Sequence, residues 1–357
     1  MPALPESHAP GSSASDAQQY FDAVVPRWQS SPLNPLFLQR KDLLIGSRSF
    51  DKFIASRRLY WETHDEKFQI QYDPQERRKK RAKETNTEKT AMFFLQTCHA
   101  MMCELLENSP ALWRRRFQRV LDLCCAPGGF CNALLTRFPD VKIDAHTLHP
   151  DDGGAPMITK HSRLNCQYND VIELSVNQSF KTLIRYDMVI LGGAWAAYVD
   201  ENGVEQQETE SRVFYPNLKL KFAELHIMLQ CLRPNGVAIV KLPLKFENLT
   251  GTMVWIILEK IFKHVEPFRP SCNSCSSLWS HSFVYMICHD LRSKEIREEY
   301  IRKLKRYLDL CRETRADFVN DFLEEQEVLE QVVGKEEKIW EQMAQTYKDK
   351  LYRLKQR

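Results

Sequence analysis

The chain reads as an α/β protein, a mostly parallel sheet with helices on both faces, and three observations predict it. Short apolar runs recur between residues 119 and 290, at Val120-Leu123, Val141-Leu148, Met188-Leu191, Val237-Val240 and Phe283-Cys288. Runs of that length and composition suit strands covered on both faces. Stretches with helical character lie between them, near Phe130-Arg137, Leu218-Leu232 and Met253-Phe262. Strands alternating with helices build a parallel sheet. The run Arg233-Pro234-Asn235-Gly236 reads as the turn between one such helix and the next strand.

Composition permits a large core. Of 357 residues, 43% are apolar and 11% aromatic, too many for a disordered chain. The formal net charge of +3 is too small to name a partner, so local charge must be read instead. The start, MPALPESHAPGSSASDAQQ, has no basic segment followed by an apolar run. No stretch approaches the ~18 apolar residues that a membrane span needs. The eleven cysteines are therefore expected to be reduced thiols in a cytoplasmic or nuclear protein. Cys124, Cys125, Cys231 and Cys288 lie in apolar runs, where Cys packs as a small hydrophobe.

Four regions follow. Residues 1–20, rich in Ser, Ala, Pro and Gly, read as a disordered N-terminus. Residues 21–86 carry aromatics and mixed charge and read as an N-terminal helical extension. The α/β domain occupies 87–290 and opens with a helix from Thr87 to about Glu107, with Met92, Leu95, His99, Met102 and Leu106 on one stripe. Residues 291–357 read as two C-terminal amphipathic helices divided near Gly334, with Tyr300, Leu304, Tyr307 and Leu308 on the apolar face of the first. They suit packing on the domain or on a protein partner.

The chemistry is carried by Val120-Leu121-Asp122-Leu123-Cys124-Cys125-Ala126-Pro127-Gly128-Gly129-Phe130. A buried strand ends in a loop of small residues, and the loop opens a helix. Glycines admit close approach of a ligand, and helix N-terminal amides favour a negative group. In parallel sheets ligands bind at the carboxyl ends of the strands, where this loop falls.

Asp-Leu-Cys-Cys-Ala-Pro-Gly-Gly-Phe resembles the first motif of the FtsJ-like methyltransferases, the ribosomal and cap RNA 2′-O-ribose methyltransferases. Further segments follow in that family's order: Asn169-Asp170-Val171 after the third strand, Tyr186-Leu191, Gly236-Lys241, and Phe268-Arg269-Pro270 with Phe283-Val284-Tyr285. The resemblance covers roughly residues 90–290. It implies a Rossmann-like seven-stranded sheet, S-adenosylmethionine as cofactor and RNA ribose as substrate, with a role in RNA methylation or rRNA processing. It also implies a cofactor site of Asp122, Cys124, Ala126, Pro127, Gly128, Gly129 and Phe130, joined by Thr147, Asp170 and Gly192. Valine at Gly128 or Gly129 is then expected to obstruct the ligand while leaving the fold mostly intact.

The family's Lys-Asp-Lys-Glu catalytic set is incomplete. Lys241 matches the second lysine and is the expected catalytic residue. Gly192 stands at the Asp position and Phe283 at the Glu position, and no lysine lies near Ala100-Met101-Met102, Lys89 being the nearest upstream. The acidic residue that follows the second strand in the family is also missing, with Thr147 or Asp151 as substitutes. Three absences predict a slow ribose methyltransferase. Two other readings stay open, a binding protein that keeps the cofactor loop without catalysis and a methyltransferase for a small molecule.

The remaining features are weaker. Cys272-Asn273-Ser274-Cys275 is a lone C-x-x-C; a zinc site needs about four ligands, so His281 or Cys288 would have to help, and the pair reads as a loop between strands with no metal expected. The basic runs Arg77-Lys83 and Arg114-Arg119 suit phosphate contacts with RNA. The acidic insert 196–210 follows the fourth strand and reads as a lid or a surface loop. His146, His149 and His161 have no Ser or Cys partner spacing and receive no role.

Overall fold

Seven strands form one sheet: β1 (Arg119–Leu123), β2 (Lys142–Thr147), β3 (Leu164–Tyr168), β4 (Tyr186–Leu191), β5 (Leu232–Pro243), β6 (Phe262–Phe268) and β7 (Phe283–Leu291). Their order across it is β3-β2-β1-β4-β5-β7-β6. β1 to β5 pair in parallel, whereas β7 runs antiparallel to both β5 and β6. In this computed structural model the described residues are 15–28, 34–68, 88–177, 185–193, 210–243, 249–270, 283–310 and 325–356. They divide into two units, Asp73–Val332 with the sheet, and Met1–Tyr72 with Val333–Arg357.

The central strands are where the apolar runs place them, because a strand covered on both faces must be apolar at successive positions. Val120, Leu121 and Leu123 are buried, as are Met188 to Leu191 and Val237 to Val240. β3 and β6 carry no such run. β3 is an edge strand whose residues are all at least partly exposed, and β6, at the opposite edge, is buried only at Phe262 and Val265. An edge strand needs less apolar surface, so its sequence gives a weaker signal. The run Arg233-Pro234-Asn235-Gly236 is not a separate turn. It lies within β5 as an irregularity, since Tyr186 pairs with Leu232 while Met188 already pairs with Val237.

The helices of this unit are α4 (Glu88–Asn108), α5 (Pro110–Trp113), α6 (Gly129–Arg137), α7 (Val171–Val176), α8 (Glu210–Cys231), α9 (Leu249–Ile261) and α10 (Lys294–Leu310). α10 buries Tyr300, Leu304, Tyr307 and Leu308, the stripe read from the sequence, with Tyr307 5.2 Å from Phe222 of α8. The described cysteines form no disulfide, and Cys125, Cys131, Cys231 and Cys288 are buried among apolar side chains.

In the other unit, α1 (Asp16–Trp28), α2 (Asn34–Ile45) and α3 (Arg48–Phe68) group with the later part of α11 (Gln326–Gln356). Phe50 and Phe53 meet Trp340 at 5.3 and 5.1 Å, and Arg40 bonds Glu336 in a buried pair. α1 begins inside the stretch read as disordered. Ser15 Oγ accepts from the Gln18 amide, and Asp16 sits in the first turn, where an acid is favoured. The break expected at Gly334 is absent, and α11 runs through it. A helical glycine costs about 1 kcal/mol relative to Ala. Burial of Leu329, Val332, Ile339, Trp340 and Met343 on the same helix outweighs that.

Candidate active site

The loop after β1 is built by backbone constraints. Cys124 takes a left-handed φ of 59°, and the Cys125 amide donates to the His146 carbonyl at 3.2 Å, tying the loop to the end of β2. The Gly128 amide donates to Cys125 O at 2.8 Å and closes the turn. Gly128, at φ 98°, is the N-cap of α6, and no side chain caps that helix. The first amides of a helix lack partners within it and attract an anion. Ala126-Pro127 is a cis peptide.

A segment that carried no signal in the sequence lies over this loop. Thr159 Oγ1 donates to Gly128 O at 2.9 Å, and the Ile158 amide donates to Pro127 O at 3.1 Å. The Met157 side chain comes close to where a Gly128 Cβ would stand. The segment 154–159 has no regular element, so no periodicity could have marked it.

The expected cofactor residues divide by environment. Phe130 is buried, its ring 5.5 Å from that of Tyr285. Gly129 serves packing, because a Cβ there would stand 2.5 Å from Leu95 O and from Cys98 Cβ of α4. Thr147 ends β2 and is buried, its carbonyl accepting from the Asn169 amide at 2.9 Å. Asp170 spends one carboxylate oxygen on capping α7 through the Ile172 amide at 2.7 Å. Gly192 donates its amide to Leu123 O at 3.1 Å, bringing the ends of β1 and β4 together.

Asp122 lies beneath the loop, 2% exposed, and its carboxylate accepts from the Cys131 thiol at 3.1 Å. Burial pushes its carboxyl up to about 7, and the thiol's hydrogen bond opposes this. A folded-state value above the ordinary 3.8 contributes stability that is full below that pH and lost as pH rises through about 7. The rise from 3.8 to about 7 sets a ceiling of ~4 kcal/mol. The melting temperature of the protein should therefore fall between pH 4 and pH 8, and Asp122→Asn should flatten that fall. Equal slopes in the two proteins would contradict the buried neutral carboxyl.

The carboxyl ends of β4 and β5 carry a second polar group that sequence reading missed. Lys221 and Glu224, one turn apart on α8, form a buried ion pair of 2.7 Å. Glu224 also accepts from the Gly193 amide at 2.8 Å, and Lys221 donates to Leu191 O at 3.3 Å. Lys241 of β5 pairs with Tyr285 of β7, and its ammonium lies 4.4 Å from the centre of the Phe283 ring. A ring face attracts a cation, so Phe283 gives the Lys241 ammonium an aromatic partner. Burial pulls the Lys241 value down, with Cys98, Lys221, Glu224 and Cys124 close enough to act on it.

Two expectations lie elsewhere. Arg119 begins β1, so Arg114–Arg119 sits at the amino edge of the sheet, opposite the loop. There Arg115 donates to Asn235 O at 2.7 Å, and the Gln118 and Arg119 amides donate to Asp187. That run therefore anchors strand entries and is not placed beside the loop. Arg77-Lys83, the insert 196–209 and Cys272-Cys275 lie outside the described residues. Among the described residues, His264, His289 and Asp290 could offer three atoms to a metal, also at the amino edge. No described helix is long and apolar enough to cross a membrane.

Comparison with known proteins decides the family. The sequence pattern of the FtsJ-like methyltransferase family matches residues 102–291, more than half of the chain. The chain belongs to the FtsJ-like methyltransferase family. It is an S-adenosylmethionine-dependent methyltransferase. A relative is the cap-specific mRNA (nucleoside-2′-O-)-methyltransferase of Autographa californica nuclear polyhedrosis virus, 27% identical over 207 residues, which are 55% of this chain and 72% of that protein. Among solved structures, human Methyltransferase-like protein 13 in complex with SAH is 15% identical, with TM-score 0.33, over 61% of this chain and 90% of that one. The amino pentose methyltransferase CalS10 of Micromonospora echinaspora is 19% identical, with TM-score 0.25, over 40% of this FtsJ-like methyltransferase and half of its own length.

Proposed function

We propose that this methyltransferase transfers the methyl group to a ribose 2′-hydroxyl of RNA, and that capped messenger RNA is the substrate class. The observation that carries the reading is Lys241 at the carboxyl end of β5, on the same edge of the sheet as the Gly128–Gly129 loop. The likeness to the viral cap enzyme supports the same choice. When bound, the cofactor would supply an electrophilic methyl group on a sulfonium to the 2′-oxygen. The residues present suit it. Uncapped first-turn amides of α6 would hold the carboxylate of its methionine part, and Gly192, beside Leu123 O and Cys124 O, adds no side chain at the end of β4. The Lys241 ammonium would stand beside the attacking oxygen and favour its deprotonated form. Displacement at a methyl carbon needs alignment above all, so the loop and Lys241 supply most of the machinery through positioning.

The test is methyl transfer from labelled cofactor to capped RNA, alongside calorimetry for cofactor binding. Cofactor bound and label incorporated into RNA is the expected result. Binding without transfer to any RNA would leave only a cofactor-binding role, and transfer to small molecules alone would replace the substrate class.

A further inference from the structure

Position 192, where the family's catalytic aspartate would stand, is a glycine, yet a carboxylate reaches this edge of the sheet from another element. We propose that Lys221 and Glu224 of α8 are positioning residues of the methyl-transfer centre, with Glu224 standing in for the carboxylate missing at Gly192 and the pair holding Lys241 at the reacting hydroxyl. This rests on the reading of Lys241 given above.

The geometry carries it. Glu224 is fully buried and Lys221 is 3% exposed, an arrangement that is costly and weak evidence for stability as such. Both charges point at the end of β4, Lys221 to Leu191 O and Glu224 to the Gly193 amide. Leu191 pairs with Val240, so that end lies beside Lys241. Room for the carboxylate depends on glycine. A Cβ at Gly193 would stand 2.8 Å from Glu224 Oε1, and one at Gly192 would press on Leu123 O at 3.3 Å. Gly193 is thus fitted to a carboxylate arriving from α8, and Gly192 to the end of β1. Glu224 also stands against the Cys124 thiol, within the cofactor loop, and with burial pushes it well above the usual range.

Among the described residues, the groups around Lys241 are Cys98 from α4, Cys124 from the β1 loop, Lys221 and Glu224 from α8, and Phe283 and Tyr285 from β7. Of these, Lys221 and Glu224 are the charged ones, and they push the Lys241 ammonium in opposite directions.

The test uses the full chain. K221M/E224Q removes both charges together and keeps an acceptor for the Gly193 amide, so the fold should survive, as its melting temperature will report. Its kcat for methyl transfer to capped RNA should fall at least ~10²-fold, with cofactor affinity and KM within about threefold. E224D, which keeps a carboxylate, should recover part of the rate that E224Q loses. A K221M/E224Q protein that keeps the wild-type kcat overturns the inference. A second measurement reads Lys241 without turnover, by pH-dependent acylation of its amine mapped by mass spectrometry. Lys241 should titrate higher in K221M and lower in E224Q than in wild type, with K221M sufficient if E224Q does not fold. An unmoved Lys241 overturns the inference. Opposite shifts in a protein that methylates no RNA would uphold the pair and reject the substrate reading.

Discussion

Lys241→Met is expected to abolish most methyl transfer, by at least ~10²-fold, the lower range for loss of one acid–base group. Methionine keeps the length and the apolar stem, so contact with Phe283 and Tyr285 persists while the charge disappears. Burial already disfavours that charge, pulling the Lys241 value down. Its removal should therefore leave stability unchanged or raised. Cofactor affinity should also hold, because the loop after β1 is fixed by its own hydrogen bonds to His146, Met157–Thr159 and Gly192 neighbours. Rate and cofactor binding measured on one preparation separate the outcomes. An active wild type whose Lys241→Met form keeps its rate would confine the family likeness to the fold.

Gly129→Val is expected to unfold the α/β unit rather than to block the ligand alone. The added Cβ would meet backbone and a Cβ of α4, Leu95 O and Cys98 Cβ at 2.5 Å and His99 N at 2.8 Å, none of which can rotate away. Overpacking of a core costs about 1–3 kcal/mol where side chains can yield. Here the helix itself must move, so a cost beyond about 4 kcal/mol is expected. In a unit of this size that lowers the melting temperature by roughly 10 °C or more. Gly128 differs. A substituted Cβ there would meet Met157 Cε, which can yield, and Thr159 Cβ and Oγ1, on an irregular segment rather than a helix, although φ 98° adds strain. Gly128→Ala should thus weaken cofactor binding with less damage to the fold, and paired melting curves check the contrast.

The likeness of the two glycines in sequence concealed that difference. Ala126-Pro127-Gly128-Gly129 announces a tight loop, but that Gly129 is the glycine facing α4 depends on a contact some thirty residues away in the chain. Central strands and helices were legible because burial on both faces writes itself into successive positions, as at Val237-Val240. β3 and β6 were not, since edge strands such as Leu164–Tyr168 alternate without a full apolar run. Lys221 and Glu224 stayed hidden for a related reason. On a helix, a Lys and a Glu three apart read as a solvated surface pair, and only the packing of α8 against β4 buries them. Arg114–Arg119 erred the other way, its charge being plain in the sequence and its place at the amino edge fixed by where β1 starts.

The central claim is the acceptor atom. The direct measurement is capped RNA incubated with the wild-type protein and methyl-labelled S-adenosylmethionine, digested to nucleosides and resolved by mass spectrometry. A 2′-O-methylated nucleoside near the cap, absent when that nucleotide is supplied as its 2′-deoxy form, is the predicted result. Label on a base, or label that survives the 2′-deoxy substitution, would contradict it.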